Sequence, residues 1–147
     1  MDLYRQISII ANRMLETIEQ YASSLPQPGL AVIFDIDETL LDLRGQPIVP
    51  IVAVYNYVRS AGITPIMITA RETGGIEITR EQLEFAGITP SRIMYFRPPE
   101  MQDPYAYKLG ARRDVHRRGY TVIASVGDQP WDIGHYGGRG FIVPSPA

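Results

Sequence analysis

Four short apolar runs, LAVIFD at 30–35, TPIMIT at 64–69, RIMYF at 92–96 and TVIASV at 121–126, are separated by stretches with helical periodicity. Runs this short and rich in β-branched residues read as strands buried on both faces. A strand–helix alternation kept up along the chain restricts it to an open, mostly parallel sheet with helices on both faces. A last strand, FIV at 141–143, completes the order.

The connecting segments carry helix signals. In IVPIVAVYNYVRSAG, Pro50 sits near a first turn, Ile51, Val54 and Val58 face inward, and Gly62 is the stop. A third helix ends at Gly87 and starts between Thr73 and Thr79, where Thr79 and Gln82 have the spacing of a capping box. A fourth runs from about Tyr105 to Arg118, closed by Gly119, and a short helix lies near Trp131. Ahead of the first strand, Leu3, Ile7, Ile10, Met14, Ile18 and Tyr21 recur at steps of three and four, which predicts an extra N-terminal helix of about six turns. SSLPQPG at 23–29 stops it. The expectation is one α/β domain over residues 1–147, with helix and linker at 1–29 and a core at 30–147.

The chain has 147 residues, of which 45% are hydrophobic and 20% charged, ordinary values for a chain that buries a core. A net charge of −2 provides no general attraction to nucleic acid or anionic membranes. The cluster Arg112, Arg113, Arg117 and Arg118 reads as a solvated helix face. Without cysteine, neither a disulfide nor a thiolate metal site nor a cysteine nucleophile can form. Asp2, Arg5 and Arg13 interrupt the apolar N-terminal residues, so neither a secretory signal nor a membrane span is expected, and the placement expected is cytoplasmic or otherwise intracellular.

In a sheet of this kind ligands bind beyond the carboxyl ends of the strands, near the reversal of strand order. After strand one come Asp35, Asp37, Glu38 and Thr39; after strand two, Thr69, Ala70 and Arg71; after TVIASV, Gly127, Asp128 and Asp132. Lys108, the sole lysine beside thirteen arginines, begins a helix in between. Carboxylates gathered at one rim repel unless a cation sits among them, and an all-oxygen set favours Mg²⁺ over zinc or copper. An ammonium, a hydroxyl and backbone N–H groups suit a phosphate dianion.

Asp35-x-Asp37-x-Thr39, Thr69 at a strand end, Lys108, and Gly127-Asp128-x-x-x-Asp132 resemble, in order and type, the four motifs of the haloacid dehalogenase superfamily of phosphatases. DIDETLLD, ITAR, YKLGARRDVHRRGY, VGDQPWDI and the closing FIVPSP are similar to subfamily IIIB acid phosphatases, a group that includes bacterial class B enzymes and plant vegetative storage proteins. Ala70 stands where that subfamily often has glycine, and Pro130 and Trp131 where tryptophan and serine are usual.

The resemblance implies a three-layer Rossmann-like fold, and the short gaps between motifs leave no room for a cap domain. It implies Asp35 as nucleophile, Asp37 as acid and base, and Thr69, Lys108, Ala70 and Arg71 around the phosphate. Mg²⁺ would be held by Asp35, the Asp37 carbonyl, Asp128 and Asp132, the last directly or through water. The substrate expected is a small phosphate ester, nucleotide-like or aryl. No nucleic-acid or membrane partner is expected, and a homo-oligomer stays open. The alternatives are a protein phosphatase of the DxDxT type and a non-catalytic binding or storage protein. Tyr105, Tyr107, Trp131 and Phe96 read as packing more than as substrate contacts, and His116 and His135 fit no motif.

Overall fold

The computed structural model describes residues 1–24 and 29–145. Strands β1 (Leu30–Phe34), β2 (Thr64–Glu72), β3 (Ile93–Arg97), β4 (Thr121–Gly127) and β5 (Arg139–Ile142) form one sheet in the order β3-β2-β1-β4-β5. All neighbouring pairs are parallel. Helices α1 (Leu3–Ser24), α2 (Val49–Ser60), α3 (Ile76–Phe85) and α4 (Pro104–Arg117) complete the fold. None of the described helices is long and apolar enough to cross a membrane.

Strand β1 is buried along its whole length, and its alternation divides the core. Leu30, Val32 and Phe34 join Ile7, Met14 and Ile18 of α1 and Ile51, Val54 and Val58 of α2. Ala31 and Ile33 point the other way, onto Ile66, Ile68 and the α4 residues Ala111 and Val115. Successive strand residues face opposite sides, so a strand apolar at every position needs helices on both. Tyr55 on α2 meets Phe34 edge-to-face at 5.2 Å, and its buried hydroxyl donates to the Thr89 carbonyl at 2.6 Å.

The N-terminal stripe holds for most of its length. Ile7, Ala11, Met14, Thr17 and Ile18 are buried, whereas Tyr21, in the last turn, is 42% exposed. Arg139 Nη1, on β5, donates to Thr17 Oγ1 at 3.1 Å and ties the edge strand to α1. Linker residues 25–28, and Pro146 of the proline tail, lie outside the described residues.

Helices α3 and α4 start where expected, but the Thr79–Gln82 capping box does not form. Strand β2 runs on to Glu72, which pairs with Arg97, and a 3-10 turn at Thr73–Gly75 leads straight into α3. Thr79 therefore lies inside the helix, fully buried, and does not cap it. Helix α4 starts at Pro104, where a missing N–H is harmless, and the Asp103 side chain caps it by accepting from Tyr105 N at 2.9 Å.

Strand β1 is flanked by β2 on one side and β4 on the other, so the sheet reverses between β1 and β4. The crevice beyond their carboxyl ends is where such folds take ligands.

Candidate active site

Asp35 follows β1 directly, and its N–H donates to the Val126 carbonyl at 3.0 Å, continuing the ladder to β4 by one step. That bond fixes the backbone and leaves the side chain at the crevice, 8% exposed. The chain then coils. The Ile36 carbonyl accepts from the N–H groups of Thr39 at 3.2 Å, Leu40 at 2.9 Å and Leu41 at 3.0 Å, with Glu38 in the left-handed region at φ 60°. This turn brings the Thr39 hydroxyl to 3.5 Å from Asp35 Oδ2. The strand ends before either aspartate, and the Asp37 side chain is 53% exposed.

Lys108 enters from α4 and is 2% exposed. Its Nζ donates to Asp35 Oδ1 at 3.1 Å and to the Ile68 carbonyl at 2.8 Å, and stands 2.6 Å from Asp132 Oδ1. Asp132 closes a 3-10 turn, Pro130–Asp132, and its Oδ2 accepts from Gln129 N at 3.0 Å. A Cβ at Gly127 would lie 2.2 Å from Asp132 Cβ and Oδ2. Only glycine there allows the acid to fold back against β4. Asp128 lies between, with Oδ2 accepting from Gln129 Nε2 at 3.3 Å.

Asp35, Asp128 and Asp132 each offer an oxygen, all within 4.8 Å of one another. One ammonium among three carboxylates leaves the group net negative, and the donors are all oxygen, which fits a hard divalent cation. Burial raises the Asp35 carboxyl well above its ordinary range; Lys108 opposes the rise and Asp132 adds to it. Burial alone would lower the Lys108 ammonium, but the carboxylates of Asp35 and Asp132 outweigh it and raise it, so Lys108 is charged.

The residues after β2 divide. Thr69 is fully buried, its Oγ1 accepting from Arg71 N at 3.1 Å. The Ala70 carbonyl accepts from Arg97 Nε at 3.0 Å. The Arg71 side chain pairs with Asp37: Nε donates to Oδ2 at 2.9 Å and Nη2 to Oδ1 at 2.7 Å.

Arg112 corrects the reading of a solvated basic face. It is 5% exposed and donates from Nε to the His135 carbonyl at 2.8 Å and from Nη1 to the Trp131 carbonyl at 2.7 Å, bracing the loop that carries Asp132. The signal was in the sequence: Lys108, Ala111, Arg112 and Val115 fall at i, i+3, i+4 and i+7, one inward stripe. Tyr105 and Trp131 meet edge-to-face at 5.3 Å, Tyr107 is buried in the α4 cluster, and Phe96 is half-buried on β3. The His116 ring lies 5.0 Å from that of Tyr136.

A family profile described as haloacid dehalogenase superfamily, subfamily IIIB (acid phosphatase), matches residues 43–147. The chain belongs to that family. The matched span of this subfamily IIIB chain begins after Asp35 and Asp37 and includes Lys108, Asp128 and Asp132. It is 30% identical to vegetative storage protein 1 of Arabidopsis thaliana over 95 residues, 63% of this chain and 35% of that protein. It is 33% identical to the stem 28 kDa glycoprotein of Glycine max over 98 residues, 63% of this chain and 39% of that one. The chain thus spans under two-fifths of the length of these relatives.

The fold superposes with a TM-score of 0.80 on the class C acid phosphatase of Bacillus anthracis, covering 98% of this chain and 78% of that one at 15% identity. A chain of the Pnkp1/Rnl/Hen1 complex superposes at 0.72, covering 82% of this chain and 47% of that one at 19% identity. At these identities the likeness is one of fold.

Proposed function

We propose that this subfamily IIIB chain is a Mg²⁺-dependent phosphomonoesterase acting on small phosphate esters, nucleotide-like or aryl, through a phosphorylated Asp35. One observation carries the reading: Lys108 is buried between Asp35 and Asp132 at the reversal point of the sheet, with Asp128 beside them. A purely structural ion pair has no need of a third carboxylate or of a place at the ligand-binding edge.

The chemistry divides into two displacements. In the first, Asp35 Oδ2 bonds to phosphorus while the bond from phosphorus to the ester oxygen breaks, and the proton on the Asp37 carboxyl passes to that oxygen, which leaves as the alcohol. In the second, a water oxygen bonds to phosphorus, its proton goes to Asp37, and the Asp35 carboxylate is released with inorganic phosphate. Lys108 holds Asp35 Oδ1, which leaves Oδ2 as the attacking atom. Thr69 and Lys108 orient and neutralise the transferred group.

A divalent ion would be held by Asp35, the Asp37 carbonyl and Asp128, with Asp132 either direct or through water. When bound, it supplies charge neutralisation for the phosphate oxygens.

The names of the storage-protein relatives favour a second reading, a non-catalytic scaffold. Asp35, held by Lys108 and Thr39, supports the enzyme. Purified protein assayed on a panel of nucleotides, aryl phosphates and phosphopeptides, with and without Mg²⁺, tests it. Turnover of the small esters is expected, phosphopeptide-only turnover points to a protein phosphatase, and none with Mg²⁺ bound points to the scaffold.

A further inference from the structure

Arg71 forms a bridge between Asp37 and helix α3. Besides its two bonds to Asp37, its Nη1 donates to Thr79 Oγ1 at 3.0 Å and to Gln82 Oε1 at 2.6 Å. A guanidinium has about five N–H donors, and these four bonds commit nearly all of them. Thr79 is fully buried, so its hydroxyl has a set place, and Gln82 lies three residues on, on the same face of the helix.

Asp37 needs such support. It projects half-exposed from a turn with a left-handed residue next to it, and among the described residues its only side-chain hydrogen bonds come from Arg71. An exposed carboxylate held by one long, free arginine would gain little order, because the arginine loses its own freedom. An arginine already clamped by two acceptors is a fixed fork. Each Asp37 oxygen still keeps a second lone pair for a proton.

We infer that Thr79 and Gln82 are positioning residues: by anchoring Arg71 from α3 they hold the Asp37 carboxyl where it meets the ester oxygen, and Arg71 is no phosphate clamp. The inference rests on the phosphatase reading above. It assigns a part in the reaction to two α3 residues outside the four motifs.

The test is the dependence of kcat/KM, which reports the first displacement, on the leaving group. An alkoxide needs the Asp37 proton as its bond breaks; 2,4-dinitrophenolate departs without it. In Gln82→Ala and in Thr79→Val combined with Gln82→Ala, kcat/KM for an alkyl phosphate is expected to fall about tenfold or more, and that for 2,4-dinitrophenyl phosphate by less than about twofold. Thr79→Ser, which keeps the acceptor, should behave as wild type. A structural defect would reduce the active fraction and lower both esters alike. Equal losses on the two esters, or none on either, overturn the inference while leaving the phosphatase reading intact. Wild-type protein that hydrolyses neither ester overturns both. Gln82 is exposed, so its single variant should fold even if the double variant does not.

Discussion

Lys108 Nζ stands 3.1 Å from Asp35 Oδ1 and 2.6 Å from Asp132 Oδ1, one buried ammonium shared by two carboxylates. With the Ile68 carbonyl at 2.8 Å, three oxygens enclose a compact charge. A planar guanidinium is larger and cannot occupy that point without moving a partner. Lys108→Arg is therefore expected to lose at least about tenfold in kcat/KM, roughly 1.4 kcal/mol of transition-state stabilisation. Lys108→Met should be worse, because Asp35 loses the charge that opposes its rise. Wild-type steady-state kinetics in Lys108→Arg on several esters would make the lone lysine an accident of composition.

Asp35→Asn should abolish turnover with the fold intact by circular dichroism, since the carboxylate is the proposed nucleophile and Asn keeps its shape. Asp37→Asn should be severely slowed but accumulate phosphorylated Asp35 from a good leaving group, because water activation is lost. Acid-quench mass spectrometry reads the adduct. Its absence during measurable turnover would falsify the two-step scheme.

Gly127→Ala puts a methyl group where Asp132 now lies, at 2.2 Å from its Cβ. The acid must swing away from Lys108, so we expect a fall of about a hundredfold in kcat/KM, well beyond the small intrinsic effect of a Gly-to-Ala change in a strand. A crystal structure of the variant with Asp132 in place and activity retained would show that the contact to Lys108 is dispensable.

Chelation should silence the enzyme reversibly. Without a cation, Asp35, Asp128 and Asp132 repel one another and the incoming phosphate, and Lys108 alone does not balance them. Activity that survives exhaustive EDTA treatment rules the metal out. Ca²⁺ should restore little, since its larger shell tends to engage both oxygens of a carboxylate and would tie up the atom of Asp35 that attacks.

Arg112→Leu should destabilise the fold by roughly 2 kcal/mol or more, because the Trp131 and His135 carbonyls lose a buried donor. Urea denaturation measures it. A change inside experimental error would show that water replaces the guanidinium.

The polar residues at the crevice are legible because Asp35, Thr69 and Asp128 each follow an apolar run and Lys108 lies early in a helix between two of them, so chain position alone puts them at one edge of the sheet. What the sequence concealed was the pairing of side chains across elements. Arg71 follows Thr69 as a phosphate ligand would, and only the course of α3 shows that Thr79 and Gln82 draw it toward Asp37. Arg112 reads as solvated beside Arg113, Arg117 and Arg118, and as buried beside Lys108 one turn before it. Thr79 matches a capping pattern, yet the 3-10 turn at Thr73–Gly75 leads straight into a helix that starts at Ile76, three residues before it.

The Arg139–Thr17 bond joins residues 122 positions apart, across the outermost strand and the first helix. A ribosome adding about 5–20 residues per second needs on the order of ten seconds to deliver the second after the first. Within that interval β1 and α2 are made first, so Ile7, Met14 and Ile18 meet them well before β4 and β5 are added. The apolar stripe of α1 can therefore dock on α2 and β1 early, whereas the Arg139–Thr17 bond closes only once β5 has been made.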